Sequence, residues 1–102
     1  QIVQTEEQLN ACINNSSFTL VKVSAPWCRA CKSMIRPYEK ISREYSEEIQ
    51  CLEINVEESD ALMQSLGIRS LPTFIIYRHG KRIDHFNAKN HESLKEHILD
   101  YI

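Results

Sequence analysis

Two cysteines stand two residues apart in Cys28-Arg29-Ala30-Cys31. The segment before them, Ser24-Ala25-Pro26-Trp27, breaks a strand pattern, and helical periodicity follows them. A cysteine at a helix start meets unpaired backbone N–H groups and the partial positive end of the helix dipole. Both stabilise a thiolate and lower its pKa. Cys28 falls at that start and faces solvent in this reading. Cys31 lies about one turn further on, within disulfide reach and more buried. The expected chemistry is thiol–disulfide exchange. Cys28 attacks a substrate disulfide, and Cys31 resolves the mixed disulfide, leaving an oxidised 28–31 pair. The competing use of such a pair is metal binding. Zinc wants four ligands, but there is no second Cys-x-x-Cys, and His79, His85, His91 and His97 do not match a finger spacing. An iron–sulfur cluster meets the same shortage of cysteine. No metal or bound cofactor is expected.

The elements that must position this pair read from the patterning. Gln1 to Gln4 predicts a short edge strand. Thr5 and Gln8 form a capping box for a helix to about Asn14. Phe18 to Val23 is a strand dense in β-branched and aromatic residues. A long helix is expected from about Arg29 to Tyr45, with Met34, Ile35, Tyr38, Ile41 and Tyr45 on its inner face and a kink at Pro37. Ile49 to Val56 is a second core strand. Ser59 is expected to cap a helix that ends at Leu66 before Gly67. Thr73 to Arg78 and Lys81 to Phe86 form a hairpin around His79-Gly80. Asn90 caps a last helix, supported by Glu92, with Leu94, Ile98 and Tyr101 inward. The order β-α-β-α-β-α-β-β-α predicts an α/β fold, with a central mixed sheet flanked by helices on both faces.

The bulk properties bound the rest. The chain has 102 residues, which fits a single domain spanning 1–102. It is 42% hydrophobic and 25% charged, with only 2 Gly and 3 Pro, an ordinary globular composition. Net charge is −2 and the pI about 6.1, so neither a nucleic-acid backbone nor an anionic membrane is an expected partner. Apolar runs are too short to span a bilayer, and no basic region followed by an apolar run marks a signal peptide. A cytoplasmic location and a monomer are expected. Four cysteines are too sparse for a stapled secreted scaffold. Cys12 and Cys51 fall on apolar faces and read as small buried hydrophobes, with a regulatory disulfide between them as the alternative.

Ala25-Pro26-Trp27-Cys28-Arg29-Ala30-Cys31-Lys32 resembles the active site of the thioredoxin family. Gly67 to Phe74 resembles the segment carrying that family's cis-proline. Pro37 resembles its helix-kinking proline, one residue late, and Phe74 to Lys81 the strand and turn that follow. The likeness covers essentially the whole chain and implies the thioredoxin fold. It also implies that Pro72 is cis beside the cysteine pair, where its hydrocarbon ring offers no metal ligand. Leu71 would offer its backbone to an extended substrate segment. Ala25, Trp27, Ile68 and Leu71 would form an apolar docking patch, with Thr73 on the same loop and Asn87-Ala88 adding an edge near a position where many members have glycine. The implied activity is reduction of protein disulfides, with recharging by a flavin-dependent thioredoxin reductase using NADPH.

The departures from the family pattern matter as much. Gly-Pro commonly separates the cysteines; here Arg29-Ala30 does. Arg29 either favours the Cys28 thiolate, giving a less reducing potential, or points to solvent and acts in partner choice. Many members carry a buried Asp where this chain has Lys22. Strand parity puts Lys22 on the face opposite Val21 and Val23. Glu53 matches a position where bacterial-type members often carry Lys and animal-type members can carry Glu, and this resemblance implies that it pairs with Lys22 on a neighbouring strand. Snorkelling to solvent is the alternative for Lys22. Lys32, Arg36, Arg69, Arg78 and His79, with Arg29, suggest a docking face suited to acidic partners. Two other functions stay open: an oxidant or isomerase in an oxidising compartment, and a binding subunit of a larger complex.

Overall fold

A computed structural model describes residues 1–102. Four strands form one sheet: β1 (Phe18–Ser24), β2 (Gln50–Asn55), β3 (Thr73–Arg78) and β4 (Lys81–Phe86), in the spatial order β2-β1-β3-β4. β1 and β2 are parallel, and the β1–β3 and β3–β4 pairs are antiparallel. Five helices cover it: α1 (Glu6–Asn14), α2 (Arg29–Lys32), α3 (Ile35–Glu44), α4 (Asp60–Leu66) and α5 (His91–Leu99).

Alternation along the strands builds two cores. Val21, Val23, Leu52, Ile54 and Ile75 face α1 and α4 and pack with Leu9, Ile13 and Leu62. Phe18, Leu20, Phe74 and Ile76 face α3 and α5 and pack with Tyr38, Ile41, Leu94 and Ile98. Each large apolar side chain fully buried in these layers is worth ~1.5–3 kcal/mol over its exposed state. The mixed sheet with helices on both faces is the expected architecture.

Local chemistry explains most element ends. Thr5 Oγ1 accepts from the Gln8 N–H at 3.1 Å, and Gln8 Oε1 reaches back to the Thr5 N–H at 3.3 Å, so the capping box is complete. Gly67 ends α4 at φ 69°, a left-handed position that a β-carbon disfavours. His79 and Gly80 both have positive φ, which suits the twist of a tight hairpin.

Four expectations need correction. Gln1 to Gln4 is not a strand: only an isolated parallel bridge joins Ile2 to Glu53. Two backbone bonds hold it, Val3 N–H to the Glu53 carbonyl and Glu53 N–H to the Gln1 carbonyl, each 2.8 Å. The helix expected from Arg29 to Tyr45 is two, broken at Ser33-Met34. The break precedes Pro37 because a proline strips the bond from the carbonyl four residues back and crowds it. Ile35, just past that break, is exposed rather than inward. Ser59 precedes α4 but makes no capping bond, and its buried hydroxyl has no partner. At α5 the expectation holds: Asn90 is the N-cap, its Oδ1 accepting from the Ser93 N–H at 2.9 Å, and Glu92 lends its charge in the first turn.

Candidate active site

Cys28 is the N-cap of α2 and is joined to Cys31 by a disulfide, with Cα atoms 5.2 Å apart. The Cys31 N–H donates to Cys28 Sγ at 3.1 Å. A first-turn amide is thus aimed at the sulfur expected to carry negative charge. Cys28 is 8% exposed and Cys31 3%, so Cys28 is more enclosed than the sequence suggested. Trp27 beside it is 67% exposed and is no core residue. Arg29 is exposed too.

The Leu71–Pro72 bond is cis. Pro72 and Leu71 line a groove of about 220 Å³ together with Ala30, Ser33, Ser70 and Asn87. Ala88 and Lys89 complete its wall. Of the expected docking residues, Trp27 and Asn87 are exposed and Leu71 half-buried. Ala25, Ile68, Thr73 and Ala88 are buried, so their apolar atoms back the surface rather than form it.

A second groove, of about 470 Å³, runs beside Cys31. Lys22, Ala25, Lys32, Glu39 and Glu53 are among the residues that line it. Lys22 stands opposite Glu53 in the β1–β2 register. Its Nζ lies 3.5 Å from Glu53 Oε1 and 5.0 Å from the centroid of the Tyr38 ring. The Lys22 side chain is 4% exposed and that of Glu53 40%, so this is a half-buried pair and not a snorkelling lysine. Below it, Tyr38 Oη lies 2.6 Å from the Leu52 carbonyl and 2.9 Å from the Leu20 carbonyl, donating its one proton to the backbone of both strands. Burial, and then the Cys51 and Glu53 charges, hold the Tyr38 phenol well above its usual range.

Other expectations separate. Arg78 is engaged at the far end of β3, donating to the Tyr101 carbonyl and lying over the Phe18 ring. It and His79 therefore add no charge to the Cys28 end. Cys12 and Cys51 are free and only partly buried. They pack against opposite faces of the sheet, which argues against a bridge between them. Burial pushes the Cys51 thiol up to about 11. No group of three or more His, Cys, Asp or Glu stands together as a metal site. No helix is long and apolar enough to cross a membrane. Sequence reasoning missed the Tyr38 hydroxyl beneath Lys22 and the bonds of Asn87 to the Pro72 loop. Both join residues at least 14 positions apart, with no local signal.

Comparison with known proteins places this geometry. The Thioredoxin family matches residues 1–100. Thioredoxin 1 of Plasmodium falciparum is 28% identical over 101 residues, covering 99% of this chain and 96% of that one. A chloroplastic M-type thioredoxin of Pisum sativum is 30% identical over 103 residues, covering 100% of this chain and 60% of that protein. A solved Plasmodium falciparum thioredoxin superposes with a TM-score of 0.93 at 27% identity, over 100% of this chain and 99% of the other. Matched from end to end in sequence and fold, this chain belongs to the thioredoxin family, and it is a thiol–disulfide oxidoreductase with a disulfide-forming pair at Cys28 and Cys31.

Proposed function

We propose that the chain is a protein-disulfide reductase in which Cys28 is the nucleophile and Cys31 the resolving thiol. The observation that carries the assignment is the Cys31 N–H aimed at Cys28 Sγ from 3.1 Å. The Cys28 thiolate attacks one sulfur of the substrate disulfide, and the other leaves as a thiolate that takes a proton. Cys31 then loses its proton and attacks Cys28 Sγ. The second substrate sulfur departs as a thiolate, and two electrons have passed from the pair to the substrate. A thioredoxin reductase returns two electrons from NADPH through its flavin.

The remaining site residues take supporting roles. Pro72 shapes the floor, and Leu71 presents backbone N–H and C=O to an extended segment of the substrate. Trp27 offers an exposed aromatic surface, backed by Ala25, Ile68 and Thr73, with Asn87 and Ala88 as the far edge. Glu53, held by Lys22 on the wall of the groove beside Cys31, accepts the resolving proton through water. Arg29 adds positive charge close to Cys28, and Lys32, Arg36 and Arg69 extend an exposed basic rim suited to acidic partners. The chain acts as a monomer and as a single domain. Two unpaired thiols, Cys12 and Cys51, suit a reducing compartment such as the cytoplasm.

The test is the reduction potential of the Cys28–Cys31 pair in glutathione buffers, followed by Trp27 fluorescence in a C12S/C51S background. A value near about −270 mV is expected of a reductant. A value above about −200 mV would assign the chain to oxidants or isomerases and overturn the reductase reading.

A further inference from the structure

Asn87 lies in the connection between β4 and α5, and its side chain crosses to the loop that carries Pro72. Asn87 Nδ2 is 2.7 Å from the Pro72 carbonyl, 3.2 Å from Ser70 Oγ and 3.3 Å from Thr73 Oγ1. The chemistry of these neighbours fixes which end of the amide faces them. A carbonyl only accepts. Thr73 Oγ1 already donates its proton to the Ser70 carbonyl at 2.6 Å, so it too offers a lone pair. The NH₂ group therefore faces the loop, and Oδ1 is turned away from it.

The Thr73–Ser70 bond closes the loop from within, and Asn87 holds it from outside. Pro72 has no N–H, so its carbonyl is the one polar group by which that residue can be held. No other side chain joins the β4–α5 connection to Ser70–Thr73 by a hydrogen bond. Asn87 itself is exposed and contributes nothing to either core. A polar side chain that is spent on one loop, at the wall of the groove shared with Leu71, is placed to set that loop's angle.

We propose that Asn87 is a positioning residue for substrate docking: its amide clasps the Pro72 carbonyl and fixes the direction in which Leu71 presents its backbone to an extended protein segment. This rests on the reading of Leu71 as the docking edge. Small disulfides need no such edge, so the clasp discriminates between substrate classes without touching the sulfur chemistry.

The experiment compares the whole chain with Asn87→Ala, which removes the clasp, and Asn87→Asp, which sets an acceptor against the carbonyl. Each is assayed on insulin, a protein disulfide, and on 5,5′-dithiobis(2-nitrobenzoate), a small one. Loss of one hydrogen bond predicts a rise in KM for insulin of about fivefold in Asn87→Ala, with Asn87→Asp at least as affected. Any loss on the small disulfide is expected to be smaller than the loss on insulin, and the reduction potential reads whether the sulfurs are disturbed. An unchanged insulin KM in both variants overturns the clasp. So does an equal loss on both substrates, which marks general damage to the folded pair. A parent chain that reduces the small disulfide but not insulin overturns the docking reading, and the clasp with it.

Discussion

The two faces of the sheet are built from different materials. The face toward α1 and α4 is aliphatic along most of its length and reaches Cys28 and Cys31 at one end. The face toward α3 and α5 holds an aromatic row, Tyr38, Phe74 and Phe86, with successive ring centroids 5.9 and 5.7 Å apart. Lys22, the buried charge, lies on this second face above Tyr38. The contrast separates two tasks. Aliphatic walls exclude water from the sulfurs and on their own raise a thiol's pKa. The amide aimed at Cys28 opposes that locally, and the Lys22–Glu53 pair brings charge from the other face. The two systems meet where Lys22 and Cys31 line one groove.

The sharpest break of this division is at the sulfurs. Cys28→Ser is expected to reduce insulin turnover to the uncatalysed background. Cys31→Ser retains attack and accumulates a mixed disulfide with substrate, visible as a mass increase on a non-reducing gel. Trapping by Cys28→Ser instead would reverse the assigned roles. Next come the two cores. Phe74, fully buried in the aromatic row, should cost ~3–5 kcal/mol when changed to Ala, whereas Ile54→Val on the aliphatic face should cost ~0.5–1.5 kcal/mol. Urea unfolding midpoints measure both.

Lys22→Met tests whether charge from the second face is felt at the pair. Glu53 is exposed enough to be solvated alone, so stability is expected to stay within ~1 kcal/mol of the parent. Removing a cation from the groove beside Cys31 makes its thiol harder to ionise. The rising limb of the pH–rate profile should then move to higher pH. An unmoved limb would mean that the faces are electrically separate. The smallest effect is alkaline. Cys51 is held to about 11 by burial, against the usual ~8.5 of a free thiol. The folded chain keeps a proton that the unfolded chain releases in that interval, so stability falls as pH rises from about 8.5 toward 11. Urea midpoints at pH 8 and pH 9.8 should differ less in Cys51→Ala than in the parent.

What could be read from the residues alone follows the range of the interactions. Thr5 and Gln8 announce α1 because both halves of the capping box lie within one turn. Strand parity made the face of Lys22 legible, whereas Glu53 was legible as its partner only through the family position it matches; the β1–β2 register sets the two opposite each other. Pro37 announced a disruption, but its site was shifted to Ser33-Met34 by a steric effect acting four residues back. Gln1 to Gln4 has a strand's composition yet gains only one bridge, at Glu53 on the outer edge of β2, because strand pairing is decided by a partner far along the chain and not by local composition. Asn87 was legible only as part of the edge of the expected docking patch; its hydrogen bonds were not, since its partners belong to another loop and side-chain amides carry no periodicity.

The rims of the sheet bear on a hazard of this chemistry. A protein that docks extended polypeptide through its own backbone risks pairing with copies of itself through exposed strands. Beyond β2, the Ile2–Glu53 bridge covers part of one rim. At the other, β4 presents Lys81, Arg82, Asp84 and His85, and its register to β3 slips between Ile76 and Tyr77. Charge and an irregular ladder both discourage edge-to-edge addition. In a crowded solution the chain is thus guarded against aggregation at its strand edges, while the loop at Leu71 and Pro72 is left as the place where another polypeptide can be received.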